Sequence, residues 1–161
     1  YPNQNDWIKA KKEQLEGTLE FLPWCMTVDA FQHWIYTNPN HSAEQRHEYF
    51  ASLMDRFNTG IDWSNLQNHK ANRWMLQLHI FEVPFYYIEY GMSQLGALAI
   101  YKNYKENPQK AIQQYKNFLN AGYSLPVNKL YEIAGVNFKF DEKYLSEIVQ
   151  FVKNEINALN S

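Results

Sequence analysis

Three phenols crowd into one short run, at Tyr86, Tyr87 and Tyr90, with Glu82, Glu89 and His79 close by in the chain. A phenol donates one hydrogen bond from the end of a rigid apolar ring, so it suits a site that must steady a developing negative oxygen. The same ring also fills a core, where its hydroxyl needs a partner. The run is therefore either a polar-laced core or one wall of a site. Glu82 and Glu89 could form a carboxylate pair, but Pro84 lies between them and their spacing does not bring them together.

Other candidates for chemistry are sparser. The histidines are His33, His41, His47, His69 and His79. A helical zinc site needs two imidazoles four residues apart on one face, and no pair here has that spacing. His41 and His47 read as solvent-facing. Asp29 and His33 are placed to meet on one helical face, most simply as a satisfied core histidine. Cys25 has no activating neighbour in sequence and reads as a buried apolar thiol. No nucleophile elbow, phosphate loop or dinucleotide fingerprint occurs. The residues alone give a candidate cleft wall and no complete catalytic constellation.

The elements that must carry these residues read as helices. Asn5 or Asp6 caps a first helix, ended or kinked at Pro23 and followed by a nearly uncharged second over 24–36. Ser42 and Gln45 form a capping box for a third, running to about Arg56 and stopped at Asn58-Thr59-Gly60. Asp62 or Ser64 opens a fourth, reaching Leu78 and on to Phe81. Pro84 then suits the first turn of a central helix over 84–100 and on to Lys105. Gly91 and Gly96 lie within it. Each glycine costs about 1 kcal/mol of helix propensity, which close approach of another backbone would offset. Asn107-Pro108, Ser124-Leu125-Pro126 and Asp141 open three more helices, with stops at Gly122 and Gly135. Val136 to Phe140 alternates, but too briefly for a convincing strand. The expectation is an all-α fold of seven or eight helices in a single helical domain over 1–161.

Composition narrows the function classes. The chain has 161 residues, 45% hydrophobic and 20% charged, with a net charge of −2 and an aromatic share of 17%. These values fit a folded globular chain. Without a basic run, nucleic acid or an anionic membrane surface is not expected as a partner. Cys25 is the only cysteine, which excludes an intrachain disulfide and favours a reducing, cytoplasmic setting. No apolar run is long enough to span a membrane. The chain opens at Tyr1 rather than Met, as expected for a piece of something longer.

Two stretches resemble a known family. Thr27-Val-Asp-Ala-Phe-Gln-His-Trp-Ile-Tyr36 with Asn38-Pro39-Asn40-His41, and Pro84-Phe-Tyr-Tyr-Ile-Glu-Tyr-Gly-Met-Ser-Gln-Leu-Gly-Ala-Leu98, resemble the downstream half of oligoendopeptidase F-type zinc metallopeptidases, relatives of thimet oligopeptidase. Gly122-Tyr-Ser-Leu-Pro126 and Ala134-Gly135 match that family's ending in kind and order. The resemblance implies a predominantly helical enzyme that hydrolyses short peptides in a deep channel. It also implies that the zinc ligands and the general base lie on a His-Glu-x-x-His helix and a further helix which this chain does not contain. The segment would thus bind no zinc itself and be inactive alone. By the same resemblance, His79, Tyr87 and Tyr90 contact the substrate and hydrogen-bond the oxyanion, and Tyr86 joins them in substrate binding as the nearest competitor of Tyr87. The missing N-terminal half would be a partner. The face it leaves bare would favour self-association. A non-catalytic helical module that binds a peptide or protein is the alternative.

Overall fold

The 34 residues of α1 (Gln4–Thr37) run as one helix straight through Pro23. The structure, a computed structural model, describes residues 1–58 and 60–160; Thr59, placed by sequence in the stop after the helix ending near Arg56, lies outside them. Proline in a helix interior costs about 3 kcal/mol, so the expected end or kink at Pro23 is locally reasonable. The helix continues because it buries side chains on both sides of the proline: Leu15 and Thr18 before it, Cys25, Thr27, Val28 and Phe31 after it. The Thr27 hydroxyl also donates to the Pro23 carbonyl at 2.9 Å.

Among the described residues seven further helices follow: α2 (Ala43–Arg56), α3 (Gln67–Asn72), α4 (His79–Glu82), α5 (Ile88–Glu106), α6 (Pro108–Ala121), α7 (Val127–Ile133) and α8 (Glu142–Leu159). A 3-10 turn, Arg73–Leu76, sits between α3 and α4. No strand occurs among the described residues, and 136–140 is irregular chain. The expected capping box is present: Ser42 accepts from the Gln45 amide and Gln45 answers the Ser42 amide. Asn107 and Asp141 cap α6 and α8 as read from sequence.

Two corrections bear on the site. The single helix expected over 62–81 is three short pieces, because Asn65 takes a left-handed conformation (φ 64°) and Gln77 turns extended (ψ 91°). The central helix starts at Ile88, not at Pro84, because Phe85 is also left-handed (φ 62°).

The chain divides into two compact units, Gly17–Met92 and Tyr1–Glu16 with Ser93–Ser161. In the first, Val28, Phe31, Phe50, Leu53, Met54, Trp74 and Ile80 form a buried cluster. Phe31 meets Phe50 edge to face with centroids 4.9 Å apart. Buried Lys70 is held by Asp55 at 2.8 Å. In the second, Leu95, Leu98, Ala111, Leu130, Ile148 and Val152 are buried. There the Tyr101 hydroxyl donates to the Glu155 carboxylate, which also pairs with Lys105 at 3.2 Å.

Candidate active site

The broken backbone between the 3-10 turn and α5 decides where the candidate side chains point. His79 opens the four-residue α4, and the Val83 amide closes that turn on the His79 carbonyl at 3.1 Å. The chain then bends through Pro84 and left-handed Phe85, whose ring lies 4.9 Å from His33 and 5.2 Å from Tyr36 on α1. Tight turns from Glu89 to the Tyr86 carbonyl and from Tyr90 to the Tyr87 carbonyl lead into α5.

This path folds His79 back over all three phenols. Its ring lies 6.3 Å from Tyr86 and nearly parallel, 5.0 Å from Tyr87 and 5.5 Å from Tyr90, the last two edge on. A helix opening at Pro84 would put Tyr87 and Tyr90 near one helical face. Tyr87 instead precedes α5, yet the two rings still meet, 5.4 Å apart.

A polar chain runs through the cluster. The Trp24 indole N–H donates to Gln77 Oε1 at 3.1 Å. Gln77 Nε2 lies 2.7 Å from His79 Nδ1, and His79 Nε2 lies 3.3 Å from the Tyr90 hydroxyl. Sequence reading singled out neither Trp24 nor Gln77. A tryptophan in an apolar stretch and a glutamine in a helical pattern carry no signal of this kind.

Exposure separates the phenols. Tyr86 is 44% and Tyr90 41% exposed, so both rings reach the surface. Tyr87 is half-buried, packed against the core and 6.2 Å from Phe21. Burial pushes the Tyr87 phenol above its ordinary pKa and the nearby Cys25 thiol adds to this, while a hydrogen bond from the Trp24 indole opposes it. Burial likewise drives the Cys25 thiol up to about 11, against a hydrogen bond from the Gly91 amide. A Cβ at Gly91 would stand 3.3 Å from that of Cys25, a contact tight enough that one of the two must give by a few tenths of an ångström. The close approach at Gly91 is thus to a side chain, not to the backbone expected from sequence.

The remaining candidates do not converge on the cluster as donors. Glu82 and Glu89 are both exposed. His33 is not a core histidine: its side chain is 66% exposed and lies 3.5 Å from Asp29. His41 and His47 are half-buried rather than solvent-facing, the first holding Arg46 at 2.9 Å and the second 6.0 Å from the Trp74 ring. Among the described residues no group of three or more His, Cys, Asp or Glu side chains could hold a metal ion. A cavity of about 630 Å³ lies against Trp34, His41 and Tyr49, but none of the four clustered rings lines it. No helix among the described residues is long and apolar enough to cross a membrane.

Comparison with known proteins places this arrangement in a family. The model of peptidase family M3 matches residues 2–150. Among solved structures, PZ peptidase A with an inhibitor superposes with a TM-score of 0.86 at 27% identity, over 96% of this chain and 28% of that one. A protein described as an oligoendopeptidase F gives a TM-score of 0.80 at 27% identity, over 92% of this chain and 26% of the other. The chain therefore spans about a quarter of the length of both structures. No curated protein sequence gives a match. With the family match running through α1 to α8 and two peptidases sharing its helical fold, the chain belongs to peptidase family M3.

Proposed function

We propose that this chain is the C-terminal, substrate-binding portion of a zinc-dependent oligoendopeptidase that hydrolyses short peptides. The observation that carries the reading is Tyr90, an exposed residue whose hydroxyl is backed by His79 Nε2 at 3.3 Å. When water adds to a peptide carbonyl, charge collects on the carbonyl oxygen. A phenol already aimed at that oxygen stabilises the transition state more than the ground state. Tyr90 is the donor in this reading, and His79 keeps it in place.

Tyr86, equally exposed and stacked on His79, offers a ring face and a hydroxyl to the peptide. Tyr87, half-buried beneath, is the phenol that orients its neighbours and reaches the substrate least. In this reading the metal and the general base belong to a part of the complete enzyme outside this chain, which spans about a quarter of the two peptidases it resembles. The exposed ring cluster would then face that part across the peptide. A cytoplasmic setting agrees with the single cysteine.

The test is reconstitution. The chain alone, with zinc supplied, should leave a fluorescence-quenched peptide intact. The same chain joined to a segment bearing a His-Glu-x-x-His helix should cleave it. Cleavage by the chain alone, or none by the joined protein, contradicts the proposal.

A further inference from the structure

We infer that Gln77, anchored by the Trp24 indole, is a positioning residue that decides which nitrogen of His79 carries the proton, and so leaves the Tyr90 hydroxyl hydrogen free for a substrate carbonyl. The inference rests on the proposed roles of His79 and Tyr90, and adds to them what prepares the donor.

The assignment follows from which groups can only donate. An indole N–H has no acceptor capacity. It meets the Gln77 side chain at 3.1 Å while also lying against the Tyr87 hydroxyl, and toward the amide a group that only donates must meet the carbonyl oxygen. The other end of that amide is therefore NH2, which also only donates. That end lies 2.7 Å from His79 Nδ1. Nδ1 is thus an acceptor, and the neutral imidazole holds its hydrogen on Nε2. Nε2–H then donates to the Tyr90 oxygen at 3.3 Å. The phenol accepts through a lone pair and keeps its own hydrogen uncommitted. In the other tautomer Nε2 would take the Tyr90 hydrogen, and the phenol would have none to offer.

The break in the expected helix makes this possible. Residues two apart on a helix do not face each other, so a helix continuing through 77–79 would hold Gln77 away from His79. Gln77 instead leaves the 3-10 turn in an extended conformation (φ −93°, ψ 91°), its amide still bonded to the Trp74 carbonyl. The side chain can then double back on the residue two ahead.

The experiment uses the 161-residue chain with nitrogen-15 in its histidine rings, under mildly alkaline conditions. Long-range proton–nitrogen correlation distinguishes a bare ring nitrogen from a protonated one. The unmodified chain should show His79 with bare Nδ1 and protonated Nε2. Gln77→Glu replaces the amide donor with an acceptor, so the ring should place a hydrogen on Nδ1, with the thermal transition confirming the fold. Trp24→Phe keeps an aromatic ring but removes the indole N–H, so the amide can turn over and both tautomers should appear. Nδ1 protonated in the unmodified chain overturns the inference, as does an unchanged tautomer in both variants.

Activity of the joined enzyme separates this from the broader proposal. A triad histidine in the wrong tautomer costs about 10⁴ in kcat. Here Gln77 acts only through one phenol, so the loss in Gln77→Glu should not exceed the roughly 10²–10³ of removing that donor. It should vanish when Tyr90 is already Phe. A tautomer switch without loss of activity would sink the proposed role of the pair and leave the control by Gln77 standing.

Discussion

The ring of Phe85 lies 4.9 Å from that of His33, and this contact holds a left-handed residue at the entrance to α5. Non-glycine residues pay roughly 1–2 kcal/mol for that conformation, and such strain gathers where a site must be shaped. The ring contacts with His33 and Tyr36 offset it. Phe85→Ala removes the contacts and keeps the strain, whereas Phe85→Gly removes both. Urea denaturation should therefore show the Ala variant less stable than the Gly variant, by about 1 kcal/mol. The reverse order would mean that the turn is not strained.

Gly135 ends α7 with φ 76°, and a Cβ there would stand 2.4 Å from the Gln114 amide nitrogen. Its carbonyl also accepts from Asn103 on α5 at 2.8 Å. Gly135→Ala should cost at least about 1–2 kcal/mol, read as a lower urea midpoint with an unchanged slope. A neutral result would show that neither the left-handed turn nor the contact with Gln114 requires glycine there.

Much of the fold was legible because its signals are local. Ser42 with Gln45, Asn107 before Pro108, Asp141 and the stop at Gly135 each satisfy or end a helix within a few residues. Pro23 misleads because its cost is local while the burial that overrides it, at Leu15 on one side and Phe31 on the other, is tertiary. The break after Asp62 was hidden for a similar reason. Asp62 spends its side chain on the Ser64 amide in a tight turn, not on capping a helix. At the site, the phenols and His79 stood out by type and spacing. Trp24 lies 53 residues from Gln77, and no local pattern announces a bond across that separation.

The thiol of Cys25 gives a pH test. Burial holds it at about 11, against an ordinary 9.0. Between these values the unfolded chain has released a proton that the folded chain keeps, so stability is full below the ordinary value and declines as pH rises toward 11. Urea midpoints across that interval should fall, and the fall should be shallower in Cys25→Ala, where the phenols and lysines still titrate but the thiol does not. Equal slopes would show that the thiol is not held protonated by the fold. Alkylation of the folded chain near neutral pH should likewise be slow.

Bare apolar side chains give a test of association. Ile112, Tyr115 and Leu119 on α6 are exposed, as are Leu76, Leu78 and Phe81 around α4. The chain covers about a quarter of the peptidases it resembles. Alone, it should self-associate with rising concentration in sedimentation experiments. Strict monomer at all concentrations would contradict that expectation.

The most direct measurement is the kinetics of Tyr90→Phe in the joined, metal-bearing enzyme on a short quenched peptide. Loss of a single preorganised donor to the carbonyl oxygen predicts that kcat and kcat/KM fall together by about 10²–10³, or roughly 2.7–4 kcal/mol, with KM little changed. A kcat within about twofold of the unmodified enzyme, well short of that range, would contradict the account. The phenol beside His79 would then be a packing residue, and the oxyanion would have to be met elsewhere.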